Sequence, residues 1–146
     1  MSLDEIKALP VGSLARGDCI LFLWACGCML PQAIEAMSAW GFKFKTELVW
    51  RKLYHTGNPR TGIGYIARTR HEPILVGKLG KPERIKAFMS VIDGIAREHS
   101  RKPVEFYQAL RERTPRWRRC DLFARGEHPG FHPWGKEVGL FDQEAA

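Results

Sequence analysis

Six consecutive apolar residues, Cys19–Trp24 (CILFLW), limit most what this chain can fold into. The run is short for a helix and leaves no alternate position for water. It reads as a strand covered on both faces, and the rest of the chain has to supply the cover. A helix follows over about Leu30–Trp40, with Pro31 in its first turn, where a missing N–H costs little. Leu30, Ala33, Ile34, Met37 and Trp40 make one apolar stripe, and Gly41 caps the end.

The same alternation continues. Phe42–Trp50 (FKFKTELVW) and Glu72–Gly77 (EPILVG) read as strands, with Pro73 placing the latter at a sheet edge or marking its start. Ile85, Phe88, Met89, Ile92 and Ile95 fit a helical stripe, while Phe88–Ile92 also fits a strand. Pro103 opens a helix to Arg113, with Glu105 in its first turn, Arg111 and Arg113 in its last, and Phe106, Tyr107 and Leu110 on its buried side. Cys120–Ala124 (CDLFA) reads as a final buried strand. Alternating strands and helices predict an α/β fold with a mainly parallel sheet, one domain over 1–140 and a tail over 141–146.

Between Trp50 and Glu72 runs a long basic linker with Gly57, Gly62 and Gly64, too loosely spaced for a phosphate loop. A loop of that length in a compact domain is usually functional or disordered. Asn58-Pro59-Arg60 reads as a turn.

Net charge is +7, from 23 Lys and Arg against 16 Asp and Glu, which favours an anionic partner, nucleic acid first. Arg51, Lys52, Arg60, Arg68 and Arg70 in the linker, and Arg116-Trp117-Arg118-Arg119 beyond it, would make that surface; the second run fits an exposed turn equally well. None of the four cysteines forms a Cys-x-x-Cys pair, and no metal is expected, although His128 and His132 lie four apart. Cys19 and Cys120 lie in apolar runs and read as buried free thiols, which points to a reducing, cytoplasmic setting. No apolar stretch reaches the length of a membrane span, and MSLDEIKALP lacks a signal peptide's apolar core. His99-Ser100-Arg101-Lys102-Pro103 precedes a helix, where free N–H groups and the dipole favour an anion.

The order and spacing of LFLW, AWGF, ELVWRK, RHEPILVGKLG, EHSRKPVEFY, DLFARG and WGKE resemble the MT-A70-like N6-adenine methyltransferases, which use S-adenosylmethionine and an Asp-Pro-Pro-Trp catalytic tetrapeptide. The resemblance covers Met1 to about Val138. It implies a Rossmann-like methyltransferase sheet flanked by helices, and a strand rather than a helix near Ser90–Ile92. It implies that Lys102, beside Ser100, holds the cofactor's methionine carboxylate. Arg125 and the closing Lys136-Glu137 would surround ribose and adenine, with Glu137 accepting from the ribose hydroxyls. The family usually has Asn where this chain has Lys136, and a cation there lacks an acceptor. For the substrate side it suggests Trp50, Lys52, Arg68, Arg70, His71 and Glu72; Trp50 could equally be core, and His71-Glu72 a structural pair.

The tetrapeptide itself is absent: the sequence has no two adjacent prolines, so no catalytic residue is assigned. In the family, its Asp and a Pro carbonyl accept the adenine N–H bonds and aim the lone pair at the sulfonium methyl. The expectation is therefore the carboxyl-terminal part of a longer enzyme, a sheet incomplete at the N-terminal side, and no methyl transfer by the chain alone. DNA is favoured over RNA as substrate, and a homo- or heterodimer is allowed. The alternative is a catalytically silent nucleic-acid-binding or partner subunit of such an enzyme.

Overall fold

The computed structural model describes residues 1–142; the end of the expected tail, 143–146, lies outside the described residues. The chain divides into two compact units, Met1–Asp93 and Gly94–Ala146.

The first unit is built on a sheet. Strands β1 (Cys19–Trp24), β2 (Lys43–Leu53), β3 (His71–Leu79) and β4 (Val91–Ile95), the last crossing the unit boundary, follow the order β1-β3-β2-β4. β3 is the best-covered strand, with Ile74 and Leu75 almost wholly buried. It pairs antiparallel with β1 (Leu21 opposite Gly77) and with β2 (Leu48 opposite Ile74). α1 (Leu3–Lys7) starts with a capping box: Ser2 Oγ accepts from Glu5 N at 3.2 Å, and Ser2 N donates to Glu5 Oε2 at 2.6 Å. α2 (Leu30–Ala39) lays Met37, fully buried, against β3. Gly77 permits that approach, since a Cβ there would stand 2.7 Å from the Met37 sulfur. Trp40 Nε1 donates to Ile6 O at 2.9 Å, tying α1 to the end of α2.

The second unit holds α3 (Val104–Arg113) and a two-stranded parallel pair, β5 (Cys120–Leu122) and β6 (His132–Trp134). α3 buries Phe106, Tyr107 and Leu110, as its spacing predicts. Pro103 is the residue before the helix rather than its first residue.

Several expectations are corrected. The main sheet is antiparallel where β3 meets both neighbours, not mainly parallel. Alternation of helix and strand cannot see this, because the long 54–70 linker returns the chain without a crossover helix. β1 is half-buried along its whole length rather than covered on both faces. Pro73 lies in an inner strand, not an edge. Its carbonyl accepts from Ala25 N at 3.1 Å just beyond the last β1 pair, Trp24 with Ile74, so its missing N–H falls where the β1 ladder ends. Ile34 is 43% exposed and leaves the α2 stripe. β5 stops at Leu122, Phe123 turns out to solvent, and Cys120 is exposed with Cys19 only half-buried, so neither is a buried thiol. The resemblance places a strand near Ser90–Ile92, and β4 occupies that stretch.

Candidate cofactor and nucleic-acid site

In the second unit the cofactor-side residues gather on three short segments. The loop before α3 carries Ser100 and Lys102, the end of β5 leads into Arg125, and the turn after β6 carries Lys136 and Glu137. Arg125 joins them: its Nε meets Glu137 Oε2 at 2.5 Å, and its Nη1 donates to His99 O at 3.4 Å. Ser100 (φ 66°) and Phe123 (φ 60°) both adopt left-handed backbone, which costs a non-glycine residue free energy and persists where the surroundings enforce it. Both bends lie in segments that the Arg125 contacts draw together, at the loop before α3 and at the end of β5. Ser100 Oγ lies 3.0 Å from His99 Nδ1, and Arg101 grips Glu98 with both contacts at 3.0 Å. Lys102 is half-buried, directly before fully buried Pro103.

The donors and acceptors present suit S-adenosylmethionine. Pro103, the residue before α3, makes no side-chain cap bond, and Phe106 N donates to Pro103 O at 3.2 Å; the N–H groups of Val104 and Glu105 at the helix start suit a carboxylate. The Glu105 side chain holds Ile95 N at 3.4 Å through Oε1, while its Oε2 is buried without a partner and wants a donor such as an ammonium group. Glu137 is about half exposed and gives Arg125 one oxygen, leaving the other for a hydroxyl. Lys136 is exposed.

Behind this cradle a buried polar pair fixes α3 to β5. Tyr107 OH donates to Asp121 Oδ2 at 3.0 Å, and His128 stacks on the Tyr107 ring at 3.5 Å between centroids. Burial, then the Asp121 charge and hydrogen bond, push the Tyr107 hydroxyl far above its ordinary value; burial raises Asp121, partly offset by the Tyr107 bond. Burial also lowers the His128 imidazole, with Asp142 opposing and Arg101 and Arg97 reinforcing. The sequence does not reveal this group, because its members are spread over a helix, a strand and a loop.

In the first unit the substrate-side residues are less uniform. Trp50 is 2% exposed and meets Trp24 edge-on at 5.8 Å, so it packs within the core of this unit. Lys52 bonds Glu72 at 2.6 Å and sits 5.1 Å from the Trp50 ring centroid, so His71-Glu72 begins β3 with Glu72 in an ion pair. Arg51, exposed on the surface, is held bidentate by Asp93 at 2.5 and 2.6 Å, which lowers the Asp93 carboxyl. Arg68 and Arg70 are exposed in the linker, Arg70 donating to Thr61 Oγ1 at 3.1 Å. The turn in this linker runs from Tyr54 to Asn58 around Gly57, not over Asn58-Pro59-Arg60 as expected: Pro59 instead bridges back to Leu53. Arg119 leaves the nucleic-acid set: it donates to Thr114 Oγ1 at 2.8 Å and Gly130 O at 3.2 Å, fastening the β5 approach. Among the described residues no group of three or more His, Cys, Asp or Glu could hold a metal, and no helix is long and apolar enough to cross a membrane.

A mixed α/β chain with a curled four-stranded sheet and flanking helices is of the methyltransferase-like class. The MT-A70 family description matches residues 1–137, and the chain belongs to that family. It is 32% identical over 142 residues to the Type II methyltransferase M.MunI of Mycoplasma sp, covering 94% of this chain and 58% of that protein. It is 36% identical over 143 residues to the N(6)-adenosine-methyltransferase MT-A70-like of Arabidopsis thaliana, covering 94% and 21%. It is 31% identical over 126 residues to the N(6)-adenosine-methyltransferase catalytic subunit METTL3 of Homo sapiens, covering 84% and 22%. The chain thus spans somewhat over half of the first relative and about a fifth of the other two.

Proposed function

We propose that this chain is the cofactor-binding part of an S-adenosylmethionine-dependent N6-adenine methyltransferase acting on nucleic acid, DNA before RNA. The observation that carries it is the Arg125 knot: one guanidinium joins the Lys102 loop to Glu137, in the segments that the resemblance assigns to the cofactor. The cofactor would supply an electrophilic methyl on a sulfonium. Lys102 and the α3 N–H groups would hold its carboxylate, Glu105 its ammonium, and Glu137 its ribose hydroxyls, with Arg125 fixing Glu137. Choosing DNA rests on the larger share of the Type II methyltransferase matched, 58% against about a fifth for the adenosine enzymes.

No Asp-Pro-Pro-Trp lies in the sequence, so the pair of acceptors that this tetrapeptide would present to the adenine amino group is not supplied by it here. The chain is accordingly read as competent to bind cofactor and nucleic acid and incompetent to transfer methyl by itself. That same absence supports a second reading, a silent partner subunit; fully exposed Ile63, Tyr65 and Ile66 in the linker would then meet the catalytic chain. Isothermal titration with S-adenosylmethionine, paired with a tritium-transfer assay on adenine-containing duplex DNA, tests the proposal. Binding without transfer supports it. Absence of binding removes the cofactor role, and transfer by the purified chain removes the claim of incompetence.

A further inference from the structure

At the end of the first unit's sheet away from the linker, Lys43, Lys45, Lys78 and Lys81 line a recess of about 390 Å³ together with Gly41, Leu79 and Gly80. None of its lining residues is acidic, although the Asp18 carboxylate stands beside Gly80 and Lys81, and among the described residues no ion pair uses any of the four lysines. The backbone builds the arrangement. Lys43 and Lys78 are direct partners across the β2–β3 ladder, and the irregularity between Phe44 and Thr46 leaves Lys45 as the extra residue of the ladder. Gly80 (φ +65°) closes the far rim: a Cβ there would lie 2.0 Å from Gly17 O, and Lys81 N donates to Asp18 Oδ1 at 2.7 Å. Gly41 (φ +86°) also lines the recess, and a Cβ there would lie 3.4 Å from the Leu79 side chain.

Like charges directly opposite on neighbouring strands destabilise a sheet, and folding has no use for four cations in one recess. An anion would relieve the repulsion. The recess is open and three of the four lysines are exposed, which suits a chain of phosphates passing over it better than a small enclosed anion. We infer that this lysine recess holds the phosphodiester backbone of the nucleic acid, on segments other than those that carry the cofactor-side residues. The inference rests on the nucleic-acid reading above and gives that substrate a second anchoring point, independent of Arg68 and Arg70.

Fluorescence anisotropy of a short duplex DNA with the full chain, across about 50 to 200 mM salt, tests it. Lys43→Gln/Lys78→Gln should weaken binding roughly tenfold or more at about 0.1 M salt and reduce the salt slope by about 1.8, which is about 0.9 for each phosphate no longer neutralised. Lys43→Arg/Lys78→Arg should restore both. An equal loss of charge at exposed Arg84→Gln/Lys86→Gln should change neither appreciably. If wild type binds duplex and the lysine pair is no more sensitive than the Arg84/Lys86 pair, the recess is not a phosphate site and the wider reading survives. If wild type binds no duplex, both fall. Lysine-dependent binding to phosphatidylserine vesicles with none to DNA also overturns it.

Discussion

The two units hold themselves together by different means. In the first, β3 is clamped between β1 and β2, and its stability lies in apolar packing: Ile74, Leu75, Trp50, Leu48 and Met37 are all nearly or wholly buried. Its polar contacts, Arg51 with Asp93 and Lys52 with Glu72, lie on partly exposed surface. In the second, the regular elements are a ten-residue helix and two strands of three residues each, too little sheet for a deep core. Polar fasteners do the joining there: Tyr107 to Asp121, Arg119 to Thr114 and Gly130, Arg125 to Glu137 and His99. The lesson is that the proposed cofactor cradle lies in the unit fixed by directed hydrogen bonds, which set side-chain positions that apolar packing leaves less defined.

That contrast can be broken by mutation. Trp50→Ala should cost about 3–5 kcal/mol by urea denaturation, the largest loss expected, because it empties a volume in a packed core. A loss below about 1 kcal/mol would show the core to be loose. Arg119→Ala should cost less, about 1–3 kcal/mol, through carbonyls and a hydroxyl left without their donor. Arg119→Lys should recover little, since an ammonium cannot reproduce the guanidinium fork; full recovery would mean charge, not geometry, matters. Tyr107→Phe should cost about 1 kcal/mol and free Asp121 to titrate differently by NMR. No change in either would deny the fastening role of this pair.

The smallest expected effect is in pH. The His128 imidazole is held below its ordinary value by burial, so the unfolded chain takes up the proton first. Its contribution to stability is complete well above about pH 6.5 and is lost as pH falls through that value. Asp121, raised by burial, acts in the opposite sense: its effect is lost as pH rises through its folded value. The melting temperature of wild type should fall between about pH 7.5 and 5.5 more than that of His128→Phe, which keeps a stacked ring without a titrating group. Equal slopes would assign no pH role to this histidine.

How much is legible in the sequence follows the same division. Strand and helix positions in the first unit come through periodicity: β1 lies where CILFLW places it, and α2 ends just before Gly41. Strand direction does not, since a six-residue apolar run looks alike in parallel and antiparallel sheets, and β3 with Pro73 is internal. In the second unit α3 is legible from its spacing, whereas the strand is only partly so. The motifs EHSRKPVEFY and DLFARG mark Lys102 and Arg125, which lie on segments joined through the Arg125–His99 contact, yet β5 is shorter than CDLFA suggests and Phe123 faces solvent. The Tyr107–Asp121–His128 group and the Lys43–Lys78 pairing are not visible, because both depend on register and packing rather than on neighbours in sequence. Trp50 and Arg51 have the side-chain types that touch nucleic acid; the sequence does not show that Trp50 is buried or that Arg51 pairs with Asp93.

The most direct measurement is calorimetric titration of S-adenosylmethionine into wild type and Lys102→Ala, with Arg84→Ala as a charge-matched control. Saturable binding that weakens about tenfold or more in Lys102→Ala alone is the result predicted for a charged hydrogen bond to the cofactor's carboxylate. Equal affinity in all three proteins would contradict the account.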